Sequence, residues 1–336
     1  MNDRLSRARF ASATAAALAS VAVVKTPARA AQFEYKYASN LPVDHPLNVR
    51  MHEMWNAVKN ETGGRLAVAV FPNNQLGGDT AMLTQLRSGA LQFFTLDGGI
   101  LQSVVPVAAI QSVGFAFKNS EAAFDAMDGA LGAYVRKEIE AKELVVFDKM
   151  WANGMRQITS STKPIRNADD LANFKIRTPP GRLWVDLFKS LGASPAPLNF
   201  SEVYTALQTH VFDGQENPFA IIDVAKLYEV QKYLSVTNHM WSAYWLLGNT
   251  DAWKALPADI QATVSRNAAK YALLQRRDTA LRNAALADKL SRLGMTIVQP
   301  DVPSFKAKLG DFYKRWKNEF GDAAWALLEA RSGKLS

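Results

Sequence analysis

The chain has 336 residues, 48% of them hydrophobic and 21% charged, which is enough for about two domains and a sizeable core. It contains no cysteine, so disulfides, thiolate metal sites and a cysteine nucleophile are excluded. Its formal charge is +8, and beyond the first 31 residues the excess is scattered and forms no basic stripe interleaved with aromatics, so nothing points to a nucleic-acid partner.

The first segment reads as an export signal. Arg4, Arg7 and Arg9 give a basic start, Ala11 to Val24 is rich in Ala, Val and Leu, and Pro27-Ala28-Arg29-Ala30-Ala31 offers small residues for cleavage near Ala30/Ala31. The competing reading is an Ala-rich helix of the mature fold. The apolar run is short and mild for a membrane span. Arg7-Ala8-Arg9-Phe10 lacks the adjacent arginines of a twin-arginine signal, so the export route stays open. Residues 1–31 carry Arg4, Arg7, Arg9, Lys25 and Arg29 against Asp3, and their removal takes the charge from +8 to +4.

Strands and helices then alternate. Phe33 to Ser39 reads as a strand, and His45 to Lys59 as a helix with Leu47, Met51, Met54, Trp55 and Val58 on one face, ended by Gly63-Gly64. Leu66 to Phe71 is a strand, Pro72-Asn73-Asn74 a turn, Thr80 to Arg87 a helix, and Leu91 to Leu96 a strand stopped by Asp97-Gly98-Gly99. A second unit begins near Met155. Ile158, Phe174-Lys175-Ile176 and Ser194 to Leu198 read as its strands, with Leu183 to Ser190 and Ser201 to Thr209 as helices. Pro257 to Leu293 predicts one long helix with Pro257 in its first turn and Gly294 as its stop. Thr296 to Val298 adds a strand, and Phe305 to Leu328 reads as a helical tail. This order predicts an α/β protein of two similar units with a cleft between them, a favoured place for a ligand.

No phosphate loop, nucleophile elbow or HExxH motif is present. Gly63-Gly64, Gly77-Gly78 and Gly98-Gly99 lack dinucleotide-binding spacing and read as turns. His45, His52, His210 and His239 are far apart, and Glu138/Glu140 and Asp169/Asp170 fit solvated faces or caps, so no metal, cofactor or acid–base pair is expected. What remains is a set of binding groups at strand ends: Arg156, Arg177 before Pro179-Pro180, and Asn217 before Pro218. A guanidinium at the end of an apolar strand is costly to place near a core and suits the two-pronged grip of a carboxylate. The alternative for each is an ordinary surface or inter-strand side chain.

The mature chain resembles the solute-binding proteins of tripartite ATP-independent periplasmic (TRAP) transporters, of the DctP type. The matching blocks are Pro72-Asn73-Asn74-Gln75-Leu76-Gly77-Gly78, Arg156-Gln157-Ile158-Thr159-Ser160, Lys175-Ile176-Arg177-Thr178-Pro179, Gly192-Ala193-Ser194-Pro195, Phe200-Ser201-Glu202-Val203-Tyr204, Asp213-Gly214-Gln215-Glu216-Asn217-Pro218 and Tyr228-Glu229-Val230-Gln231-Lys232-Tyr233. The resemblance implies a two-lobed periplasmic binding-protein fold, type II-like, with a cleft between the lobes and a long helix spanning both. Lobe I is expected over 32–154 plus about 243–281, and lobe II over 155–242 plus about 282–336. The resemblance also implies a bidentate salt bridge from Arg177 to a ligand carboxylate, with Arg156 and Asn217 as companions. Asp97 and Asn40 would be polar contacts and Phe200 an apolar wall. The chain departs from sialic-acid binders, which carry a second basic group where it has Gly98-Gly99-Ile100-Leu101.

Trp151, Trp184, Trp241, Tyr244 and Trp245 lie on the same segments. Core packing is the alternative for each and is favoured for Trp245. Trp151 and Trp184 flank the arginines and, facing the cleft, would suit an aromatic 2-hydroxy or 2-keto acid, whereas an exposed Asp97 would suit a hydroxyl-bearing one. A C4-dicarboxylate or sugar acid is the alternative ligand. The function implied is a monomeric periplasmic protein that captures an organic acid, does no chemistry on it, and delivers it to a TRAP membrane permease. A binding module for a sensor kinase and a periplasmic enzyme are the rivals.

Overall fold

The computed structural model describes residues 31–335; the export-signal reading lies outside the described residues. Ten strands form one connected sheet: β1 (Phe33–Ala38), β2 (Leu66–Phe71), β3 (Phe93–Asp97), β4 (Leu144–Val146), β5 (Trp151–Ser160), β6 (Lys175–Thr178), β7 (Ser194–Pro197), β8 (Gly214–Pro218), β9 (Tyr233–Asn249) and β10 (Thr296–Val298). The order is β2-β1-β3-β9-β5-β8-β6-β7, with β4 and β10 flanking β9. β1, β2 and β3 are parallel at one end, and β6, β7 and β8 are parallel at the other. The antiparallel pair β5 and β9 joins these halves, giving the two-lobed α/β architecture.

The joint is irregular. The β5–β9 register shifts between Ala152 and Gly154 and again between Arg156 and Ile158. Gly154, at φ +130°, supplies a backbone conformation that side-chain-bearing residues rarely adopt. β5 therefore runs unbroken through Met155, where the sequence reads as the start of a second unit. Gln275 repairs the disturbed ladder: its Oε1 accepts from the Ala152 amide (2.6 Å) and its Nε2 donates to the Ala152 carbonyl (2.8 Å).

Gln275 belongs to the helix Ala258–Arg292, which is 35 residues and about 50 Å long. Pro257 stands at its N-cap rather than inside it, and Gly294, at φ +99°, follows its end. Ile260, Val264, Ala268 and Ala272 pack into a cluster with Tyr37, Trp55 and Trp151, while Leu290 packs into another with Val203, Leu207 and Leu234. One helix thus serves the apolar cores beside both parallel ends.

Other elements sharpen or correct the sequence reading. The tail is three helices, Val302–Lys306, Gly310–Phe320 and Asp322–Ser332, and Gly321, at φ +82°, turns the chain between the last two. Helix Ser120–Asp128, absent from the sequence reading, and helix Ala130–Glu140, read only as a polar helical stretch around Glu138/Glu140, cover the sheet through Ala123, Met127, Leu131, Val135 and Ile139. The segment after Asn199 opens as a 3-10 turn, Phe200–Glu202, before the helix Val203–Gln208. Asp170 completes a reciprocal cap with Asn167.

Candidate functional site

The carboxyl ends of the parallel strands point toward the middle of the molecule from both sides, the position where open α/β sheets leave a crevice. A small cavity there, with about 20 Å³ of free space, is lined by Asn40 and Leu41 after β1, Asp79, Asp97 and Ile100 around the end of β3, Arg156, Arg177 and Pro179, Trp184, Phe200, Asn217, Ile221 and Tyr244. Larger grooves on the outer surface are shallower, including one between Tyr204 and Lys232, and none of them gathers these groups.

The two arginines differ in how their charge is spent. Arg156 is buried and held by Glu216: Nε donates to Oε2, Nη2 to Oε1 (2.7 Å), and Nη2 also to the Asn217 side-chain oxygen (3.0 Å). Glu216 is 0% exposed and its remaining neighbour is His239, whose Nε2 lies 3.1 Å from Oε2. Arg177 is 2% exposed, yet it donates only to the Leu198 carbonyl, through Nε (3.0 Å) and Nη2. It pairs with no acidic side chain among the described residues, and burial, with Arg156 adding repulsion, pushes its pKa down to about 10. A guanidinium left unpaired in a buried site is strongly disfavoured until an anion meets it.

Opposite it stand acceptors. Asp79 is 1% exposed; Asn40 donates to its Oδ2 (3.1 Å), while its Oδ1 and the Asn40 Oδ1 have no partner. Asp97 caps the turn at Gly98: its Oδ1 accepts from the Gly99 amide (2.8 Å) and its Oδ2 from the Ser242 hydroxyl. Burial raises both carboxyl groups to about 6. Asp97 is thus a buried, twice-bonded group, which corrects the expectation of an exposed carboxylate.

Trp184 forms one wall. Its ring fills the space where a Cβ on Gly99 or Gly181 would sit, and the Arg156 guanidinium lies 5.5 Å from the ring centroid. Its indole nitrogen is buried without a partner. Gly98-Gly99 therefore serves close approach as well as turning the chain.

Arg177, Arg156, Asn217, Asp97, Asn40, Phe200 and Trp184 all line this cavity, but Trp151 and Trp241 do not. Trp151 pairs in register with Tyr244 and is sealed under the long helix. Trp241 packs edge-on to Phe117 and Phe124. Both segments are buried on both faces, so period-2 alternation marks no cavity side. The structure adds Asp79 to the lining, keeps Tyr244 there from among the aromatics read in the sequence, and backs Arg156 with Glu216 and Asp97 with Ser242. Glu216 had a readable signal, since a carboxylate inside a buried strand requires a cationic partner. Asp79 had none, because an acid in the first turn of a helix is ordinary.

A family model described as DctP, bacterial extracellular solute-binding protein, family 7, matches residues 37–319. The chain is 36% identical over 301 residues to the uncharacterized protein y4mM of Sinorhizobium fredii, covering 87% of this chain but only 54% of that protein. It is 31% identical to the 2,3-diketo-L-gulonate-binding periplasmic protein YiaO of Escherichia coli, over 76% of this chain and 77% of that one. A crystal structure of a TRAP periplasmic solute-binding protein from Polaromonas sp. JS666, bound to D-erythronate, superimposes with a TM-score of 0.86 at 31% identity, covering 90% of this chain and 100% of that one. The chain belongs to the DctP family of bacterial extracellular solute-binding proteins, and is a solute-binding protein rather than an enzyme.

Proposed function

We propose that this protein captures a small hydroxylated monocarboxylate, in the class of sugar acids, and hands it to a TRAP permease from the periplasm. The observation that carries the reading is Arg177, a buried guanidinium facing the cavity with donors left over and no acidic partner among the described residues. A ligand carboxylate would take those donors as a charge-assisted pair. The orphaned Asp79 and Asn40 oxygens would accept from ligand hydroxyls, and Trp184, Phe200, Ile100 and Ile221 would pack its carbon chain. A site built to bond hydroxyls rejects analogues that lack them, because its buried acceptors would stay unpaired.

The same groups argue against a dicarboxylate. Arg156 is already neutralised by Glu216, so a second carboxylate would face Asp79 and Asp97 without a free cation. An aromatic acid loses its support as well, since of the indoles read from the sequence only Trp184 lines the cavity. The D-erythronate and diketogulonate relatives agree with the hydroxylated class.

The test is the melting temperature of refolded, ligand-stripped protein against D-erythronate, D-galacturonate, D-glucuronate, succinate and mandelate. Sugar acids should raise it with concentration, and Arg177→Lys, which keeps the charge but loses the planar fork, should abolish the rise. A shift with mandelate or succinate alone would overturn the hydroxylated class. No shift with any acid would overturn carboxylate capture.

A further inference from the structure

β2 and β7 stand at opposite ends of the strand order, yet the segments that follow them meet over the cavity. A Cβ built on Gly78 would lie 2.6 Å from Asn199 Oδ1, 2.7 Å from its Cγ and 2.9 Å from its Nδ2, so the amide lies flat against the Gly78 backbone. Gly78 has φ −68° and ψ 168°, which any residue adopts, so glycine is needed here for space and not for torsion. Asn199 Oδ1 is buried without a hydrogen bond. Among the described residues no hydrogen bond joins Asn199 to Gly78, so the contact can part without breaking one.

The neighbours of both residues reach the site. Leu198 offers its carbonyl to Arg177, and Phe200 lines the cavity; Asp79, next to Gly78, lines it from the other side. We propose that Asn199 is a positioning residue that latches the cleft shut on Gly78, and that Arg177 reports ligand occupancy to it through the Leu198 carbonyl. An anion on the free edge of the Arg177 guanidinium fixes that side chain, which holds Leu198-Asn199-Phe200 in the seated position.

The absence of native cysteine makes a clean test available. Asn199→Cys is exposed to a fluorescent maleimide in stripped, folded protein, beside Ala193→Cys, whose site is likewise half-buried but packed against the core. The latch requires Cys at 199 to label at least tenfold faster than Cys at 193, a site of matching exposure. Equal, slow labelling means a permanent contact and overturns the latch whatever the ligand is.

A second arm rests on carboxylate capture and uses whichever sugar acid shifts the melting temperature. Gly78→Ala should raise the ligand off-rate about tenfold or more with little change in on-rate. Asn199→Ala should raise it a few-fold, and the double variant should fall back to the Asn199→Ala level, because the added methyl then has nothing to strike. Additive effects, or an unchanged off-rate in Gly78→Ala, would overturn the seat. If no acid binds, the capture reading fails while the labelling arm still decides the latch.

Discussion

Arg156 and Arg177 share one cavity and one residue type, but they occupy opposite electrostatic situations. Arg156 is bracketed by Glu216 and Asn217 on the neighbouring strand β8, and its environment holds it firmly charged. Arg177 leans on a single backbone carbonyl, and burial lowers its pKa. The first arginine is paired within the protein; the second, on the proposed function, is completed by a ligand. A site can thus be stable and incomplete at once, provided the incomplete charge has a satisfied one beside it to set the local field.

Replacement of each arginine by methionine should split these roles, and this is the largest effect expected. Arg177→Met should lower affinity for a sugar acid by about a thousandfold, roughly 4 kcal/mol, while chemical denaturation shows unchanged or higher stability. Arg156→Met leaves Glu216 buried without its main partner and should cost about 3–5 kcal/mol of folding stability. Equal stability losses in the two variants would erase the distinction.

Asp79→Asn sharpens the contrast from the acceptor side. Asp79 is pushed up to about 6 by burial, so between about pH 4 and 6 the native state holds a proton that the unfolded chain has released. Its favourable contribution is present at low pH and is lost as pH rises through 6. The asparagine variant should therefore be more stable than the parent at pH 7, by about 1–3 kcal/mol, while Asp79→Ala, which removes the acceptor altogether, should bind hydroxylated acids about tenfold more weakly. An asparagine variant that is less stable at pH 7 would show that Asp79 is held by more than Asn40.

The smallest effect is in pH. Asp79 and Asp97 both titrate near 6 beside the proposed anion position. Protonating them removes negative charge, so affinity for a monocarboxylate should rise a few-fold from pH 8 to 6, with proton uptake in calorimetry. Asp79→Asn should flatten that slope. An affinity that falls over the same interval would assign the ionised form of Asp79 the dominant part in binding.

The site was legible wherever position along a strand mattered. Asn40, Asp97, Arg177 and Asn217 stand at or just beyond strand ends, which stop signals such as Gly98-Gly99, Pro179 and Pro218 mark in the sequence. The long helix was legible because breakers are scarce from Ala258 to Arg292. β9 was not. Its seventeen residues are interrupted by Thr237-Asn238-His239, where Asn238 takes φ +44° and the pairing with β5 slips, so no continuous strand pattern appears.

By itself the sequence determined the alternation of elements, the strand-end binding groups and the lack of cysteine chemistry. Tertiary structure alone decided which arginine is already paired, which tryptophan faces the cavity and that Asp79 joins it. The partner of a buried charge is chosen in space: Glu216 is sixty residues from Arg156 in the chain yet within hydrogen-bond reach. On strands buried on both faces, hydrophobicity does not record which side a ring will occupy.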